Sequence, residues 1–253
     1  MRNDERQVLS GKTAVVTGGS RGIGRSITLE LAGMGANVVV NYVRDGTEAR
    51  AACREAEKLG AAAITARADV TSEKQVEALV RRALKEFGQL DIMVNNADDG
   101  RFEFSGPLEI SPRGWKLMLR GSLMSVFYCC KHALPAMRQN RYGRIVNISA
   151  AGSDKVEIAS LCLPYYIAKQ GVVSLTRTLA AQEAKNNITV NSVAPAFVEN
   201  YGYPDDVREK LLSRIPAGRF AKTEEVARAV SFLVRDEASY MTGINLVVGG
   251  GYA

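Results

Sequence analysis

Tyr165 and Lys169 stand four positions apart in a stretch of helical periodicity, residues 165–183, so their side chains rise from one helix face a single turn apart. A phenol with a pKa of about 10 is a poor proton donor or acceptor at neutral pH, but a neighbouring ammonium stabilises phenolate and lowers that value. A tyrosine so placed can exchange a proton with a carbonyl oxygen as a hydride moves. Alone, Y-x-x-x-K is common in helices, where a packed tyrosine and an exposed lysine account for it. A second set, residues 17–24, reads T-G-G-S-R-G-I-G between a β-branched run and a helix-like stretch. Gly18, Gly22 and Gly24 let the backbone turn sharply and approach a pyrophosphate, and the amides opening the next helix face the anion.

These groups need a scaffold, and the chain alternates apolar strand-like runs with amphipathic helical ones. Strands are predicted at 13–17, 37–43, 62–68, 91–95, 144–149, 188–193 and 245–248. Clear helices are predicted at 48–59 and 73–87, the latter capped by Thr71 or Ser72. The pattern is that of an α/β doubly wound, mostly parallel sheet of about seven strands with helices on both faces. One domain spans 1–253, with 1–8 expected to be flexible; no repeat or proline-rich linker divides it.

In such a sheet the ligand lies beyond the carboxyl ends of the strands, where strand order reverses. The polar residues predicted at those ends are Asn41 and Tyr42, Asp69, Asn95 and Asn96, and Ser149. An NAD site usually places an acidic residue at the end of the second strand. Asn41 stands there instead, and Arg21 and Arg44 are near enough in sequence to neutralise a 2′-phosphate. NADP(H) is therefore preferred to NAD(H), the plain alternative being that Arg44 is a solvated loop residue.

Composition narrows the function classes. With 46% hydrophobic and 24% charged residues, the chain resembles an ordinary globular protein with a substantial core. It has no apolar run of membrane-spanning length and no signal-like amino terminus, so a cytoplasmic protein with no membrane partner is expected. Cys53, Cys129, Cys130 and Cys162 form no C-x-x-C pair and His132 is the one histidine, so no metal site is expected and a histidine-based triad is unattractive. The net charge of +6 is spread without a dense basic run, which argues against a nucleic-acid partner.

The chain resembles the short-chain dehydrogenase/reductase family over nearly its whole length, especially its 3-oxoacyl-thioester reductases. The resemblance is carried by T-G-G-S-R-G-I-G from Thr17, D-V at Asp69, N-N-A at Asn95, Y-x-x-x-K at Tyr165, P-A-G-R-F-A-K-T-E-E-V-A from Pro216, Thr242-Gly243, and glycines 249–251. It implies a single Rossmann-like domain, a nicotinamide cofactor and a homotetramer or dimer. The implied cofactor residues are Gly18, Ser20, Arg21, Gly22, Ile23, Gly24, Asn41, Tyr42, Arg44, Asp69, Val70, Asn96, Ala97, Tyr165, Lys169 and Pro195; the implied catalytic ones are Tyr165, Lys169, Ser149 and Ser122.

Several positions depart from the family pattern. Asp98 replaces the last glycine of N-N-A-G, and Ser122 replaces a catalytic asparagine. Anchored on the strand G-R-I-V-N-I-S, the catalytic serine falls on Ala150, with Ser149 one position earlier; counting back from Tyr165 gives Gly152 and Ser153 instead. The first expectation is an NADP(H)-dependent reductase of a small carbonyl compound or acyl thioester, with Tyr165 as acid and Ser149 or Ser153 polarising the carbonyl. The alternatives are a binding subunit paired with an active paralogue, and a proton-transfer enzyme without net redox change. An apolar pocket is expected from residues 100–104, 153–163 and 194–203, including Phe102, Phe104, Leu161, Leu163, Phe197 and Tyr201, and a helix-pairing face around Leu123, Val126, Phe127 and Cys130.

Overall fold

Seven parallel strands form one sheet in the order β3-β2-β1-β4-β5-β6-β7. They are β1 (Thr13–Val16), β2 (Asn37–Tyr42), β3 (Ala63–Arg67), β4 (Ile92–Asn95), β5 (Gly143–Ile148), β6 (Ile188–Pro195) and β7 (Asn245–Val248). The helices are α1 (Gly22–Gly33), α2 (Gly46–Lys58), α3 (Glu73–Phe87), α4 (Pro112–Leu119), α5 (Ser125–Asn140), α6 (Leu163–Glu183), α7 (Asp205–Leu212) and α8 (Thr223–Leu233). The coordinates are a computed structural model and describe residues 7–98, 106, 108–155, 162–199, 202 and 205–252. The predicted pocket residues Phe102, Phe104, Leu161 and Tyr201 lie outside the described residues, as do residues 1–6 of the amino-terminal stretch expected to be flexible.

The near-continuous apolar strands follow from burial on both sides. Alternate residues of β1 enter different cores: Ala14 and Val16 pack with Ile27, Leu31, Val226 and Val230 of α1 and α8. Val15 packs with Val76, Leu79, Cys129 and Val172 of α3, α5 and α6. The central register is fixed by β1 pairing with β4, Ala14 opposite Ile92 and Val16 opposite Val94. Asp91 closes the opposite end of that pair, its Oδ2 accepting from the Thr13 amide at 2.8 Å.

The α3 prediction matches at both ends, although Ser72 caps through its backbone, its carbonyl accepting from Gln75 and Val76. The apolar face predicted for helix pairing is largely turned inward. Val126 and Cys130 belong to the core beneath the sheet, while Phe127 is the exposed apolar residue of that turn.

At the far end of α6, Glu183 is 2% exposed and accepts from Arg138 Nε at 2.9 Å and Asn186 Nδ2 at 2.9 Å. The Arg138 guanidinium holds this carboxyl below the ordinary carboxylate range, against burial, which pushes it up. A depressed carboxyl contributes stability above its unfolded pKa and loses that contribution as pH falls through its folded one. Glu183→Ala is therefore expected to cost about 1–2 kcal/mol at pH 7, with Arg138 half-exposed and partly rehydrated. The difference from wild type, measured by urea unfolding, should shrink as pH is lowered below 4.5, the ordinary glutamate value.

Candidate active site

The switch in strand order falls between β1 and β4, so the loops leaving these two strands meet at one place. The segment after β1 turns at Gly18 (φ +61°) and Gly22 (φ +53°), a left-handed backbone that glycine adopts without strain. Gly24 has no room for a side chain: an added Cβ would lie 2.2 Å from the Gly18 carbonyl oxygen and 2.6 Å from Asn96 Nδ2. From the β4 side, the Asn96 and Ala97 amides donate to Thr17 Oγ1 at 2.9 and 3.0 Å, and Asn96 Nδ2 donates to the Thr17 carbonyl at 2.9 Å.

The first turn of α1 carries no side-chain cap and no acidic residue. Its amides are directed outward from a glycine turn without a competing charge, which suits a pyrophosphate. Ser20 and Ile23 are buried in this turn, whereas Arg21 is exposed.

Asn41 takes a different position from the one expected. It is 1% exposed, its Oδ1 accepts from the Gly18 amide at 3.2 Å, and its Nδ2 donates to the carbonyls of Ala66 and Ala68. Adjacent strand residues face opposite sides. Asn41 thus points inward and ties the cradle to β3, leaving the half-buried Tyr42 and exposed Arg44 at the open strand end. Asp69 follows β3, its Oδ1 accepting from the Thr71 amide and hydroxyl at 2.9 and 2.7 Å, and Val70 is buried beside it. Pro195 ends β6 and its carbonyl accepts from the Ala151 amide at 3.0 Å.

Tyr165 lies in the first turn of α6. Pro164 presets that turn, and Cys162, in the left-handed region at φ +56°, accepts from the Tyr165 amide at 2.9 Å. Tyr165 is half-buried, and Lys169 is 3% exposed with its ammonium 5.4 Å from the Tyr165 ring centroid. Lys169 Nζ donates to the Ile148 carbonyl at 2.9 Å and pairs with Asp98 Oδ2 at 2.9 Å. Ile110, Gly114, Met118, Cys162 and Pro164 gather as an apolar wall against Tyr165.

Ser122 sits in a π-helical turn, Arg120–Met124, joining α4 to α5, and its Oγ donates to both Asp98 oxygens at 3.0 Å. The Ser149 hydroxyl is engaged within the sheet: it bonds Asn245 Oδ1 at 2.7 Å and the Val193 carbonyl at 3.2 Å, joining β5 to β6 and β7. Ser153 is 1% exposed and its Oγ has no hydrogen-bond partner among the described residues. Ala150 carries no hydroxyl. Thiolate chemistry is disfavoured, because burial pushes the Cys130 thiol up to about 12 and that of Cys129 higher still.

A family model described as enoyl-(acyl carrier protein) reductase matches residues 18–253. The chain belongs to the short-chain dehydrogenase/reductase family. This short-chain dehydrogenase/reductase is 36% identical over 247 residues to 3-oxoacyl-[acyl-carrier-protein] reductase FabG of Staphylococcus aureus, covering 95% of this chain and 97% of the relative. It is 42% identical over 246 residues to cis-4-hydroxycyclohexanecarboxylate dehydrogenase of Sinomonas cyclohexanicum, covering 95% and 96%. Its fold matches a Sinorhizobium meliloti 1021 crystal structure described as a short-chain alcohol dehydrogenase, with a TM-score of 0.89, 32% identity, and coverage of 96% and 97%. Among the described residues, no helix is long and apolar enough to cross a membrane.

In the sequence, Asp98 reads as a departure from the family pattern. The missed signal was the coincidence of that departure with a second one, Ser122, since the two side chains are bonded to each other.

Proposed function

We propose that this chain is an NADP(H)-dependent reductase of ketones, with 3-oxoacyl thioesters and cyclic oxo acids as the first substrate classes to examine. The observation that carries the reading is the buried Lys169 ammonium held 5.4 Å from the Tyr165 ring. When bound, the nicotinamide supplies the hydride. The glycine turn and the start of α1 hold the dinucleotide phosphates, while Asn41, Asn96 and Thr17 keep that turn closed from beneath.

Tyr165 donates its phenolic proton to the carbonyl oxygen, and Lys169 stabilises the phenolate left behind. Ser153, buried with an unused hydroxyl, is the donor assigned to the same carbonyl oxygen. The apolar side chains beside Tyr165 are assigned to flank the substrate body. Assembly as a homodimer or homotetramer is supported by exposed Phe127 on α5 and Ile167 on α6.

The test is loss of NADPH absorbance with 3-oxoacyl thioesters and 4-oxocyclohexanecarboxylate, followed by product identification. Hydroxy products formed in step with NADPH loss support the reading; conversion without nicotinamide, or no NADPH loss across the panel, sinks it. Arg44 is exposed beside the open end of β2 and is assigned to the 2′-phosphate. Arg44→Ala is expected to raise KM for NADPH by about three- to tenfold while leaving KM for NADH unchanged, the modest size reflecting solvent screening. Equal changes for both cofactors would remove Arg44 from that role.

A further inference from the structure

We propose that Asp98 and Ser122 act as one positioning unit that fixes the Lys169 ammonium, so that two apparent defects in the site compensate for each other. The proposal rests on the reductase reading above. An ammonium has three donors. In Lys169 one donates to the Ile148 carbonyl and a second engages Asp98 Oδ2, each at 2.9 Å, leaving the third for a ligand hydroxyl. A charge this buried requires a counter-charge, and Asp98 supplies it.

Asp98 is itself a fifth exposed, and on its own its carboxylate could rotate away. Ser122 prevents this by donating to both carboxylate oxygens from a position 1% exposed. The π-helical turn sets that position, because its extra residue displaces Ser122 from the regular α-helical track. The order of support is therefore Ser122 to Asp98 to Lys169, across three separate elements. Neither Asp98 nor Ser122 is assigned to the reacting atoms; both act through the lysine.

Asp98→Asn, Ser122→Ala and the double variant test the unit, because the first keeps the side-chain volume and the second removes one oxygen. Each single change is expected to lower kcat for ketone reduction by about tenfold with little change in the ketone KM. The double variant should be no worse than the poorer single, since both remove the same support. Losses that multiply, or Asp98→Asn with wild-type kcat, would overturn the proposal.

A binding arm is independent of turnover. Asp98→Asn should weaken NADPH by about fivefold but leave adenosine 2′,5′-bisphosphate, which lacks the nicotinamide ribose, unchanged. Parallel changes for both ligands, or none for either, would count against the unit. If wild-type protein reduces no carbonyl while this split is observed, the reductase reading falls and the positioning unit stands.

Discussion

Tyr165→Phe is expected to lower carbonyl-dependent NADPH oxidation by about a thousandfold while leaving NADPH affinity nearly unchanged. The substitution removes one oxygen from a half-buried ring in the first turn of α6 and leaves the Pro164 turn and Lys169 intact. The size follows from the role: without the phenol, no described group beside the ammonium replaces the proton donor, and Ser153, the proposed carbonyl donor, is a far weaker acid. A variant retaining more than about a tenth of wild-type kcat would remove Tyr165 from the acid role.

Gly24→Ala should have the next largest effect, through the backbone alone. The added methyl would stand 2.2 Å from the Gly18 carbonyl oxygen, a contact no side-chain rotation relieves. Gly18 cannot retreat freely: its amide is bonded to Asn41, its φ is +61°, and Asn96 presses from the β4 side. The turn must open, at a cost of about 1–3 kcal/mol in stability and about a hundredfold in NADPH affinity. Gly33→Ala at the end of the same helix is the matched control. Its nearest neighbour would be Leu59 Cδ1 at 3.9 Å, so it should be neutral or gain up to about 1 kcal/mol. Wild-type NADPH binding by Gly24→Ala would mean that the cradle does not hold the dinucleotide.

The scaffold was legible because its signals are local. β-branched runs bounded by turns placed all seven strands, and α3 showed its buried stripe, Val76, Leu79, Val80 and Ala83, at helical spacing. The glycine turn was legible for the same reason. Asn41 was not, since at a strand end one residue of register decides whether a side chain faces the ligand or the core. Ser149 and Ser153 could not be separated by counting, because the difference lies in which hydroxyl Asn245, distant in sequence, already binds. The contact of Asp98 with Ser122 depends on how the chain returns from β4 through α4, and no local pattern encodes it. It also changes the weight of the binding-subunit alternative, which takes Ser122, Ala150 and Asp98 as separate losses.

The π-helical turn at Arg120–Met124 carries a consequence for how this site could be altered over generations or by design. Each α-helical residue advances the chain by about 100°, so deleting one residue there would restore an unbroken helix and swing Ser122 out of reach of Asp98. A swap of side chains at 122 changes what is presented; a change in residue number changes where it is presented. Libraries that vary identity while keeping length between Pro112 and Asn140 would explore chemistry on a fixed frame, whereas single-residue insertions or deletions would retune the frame itself.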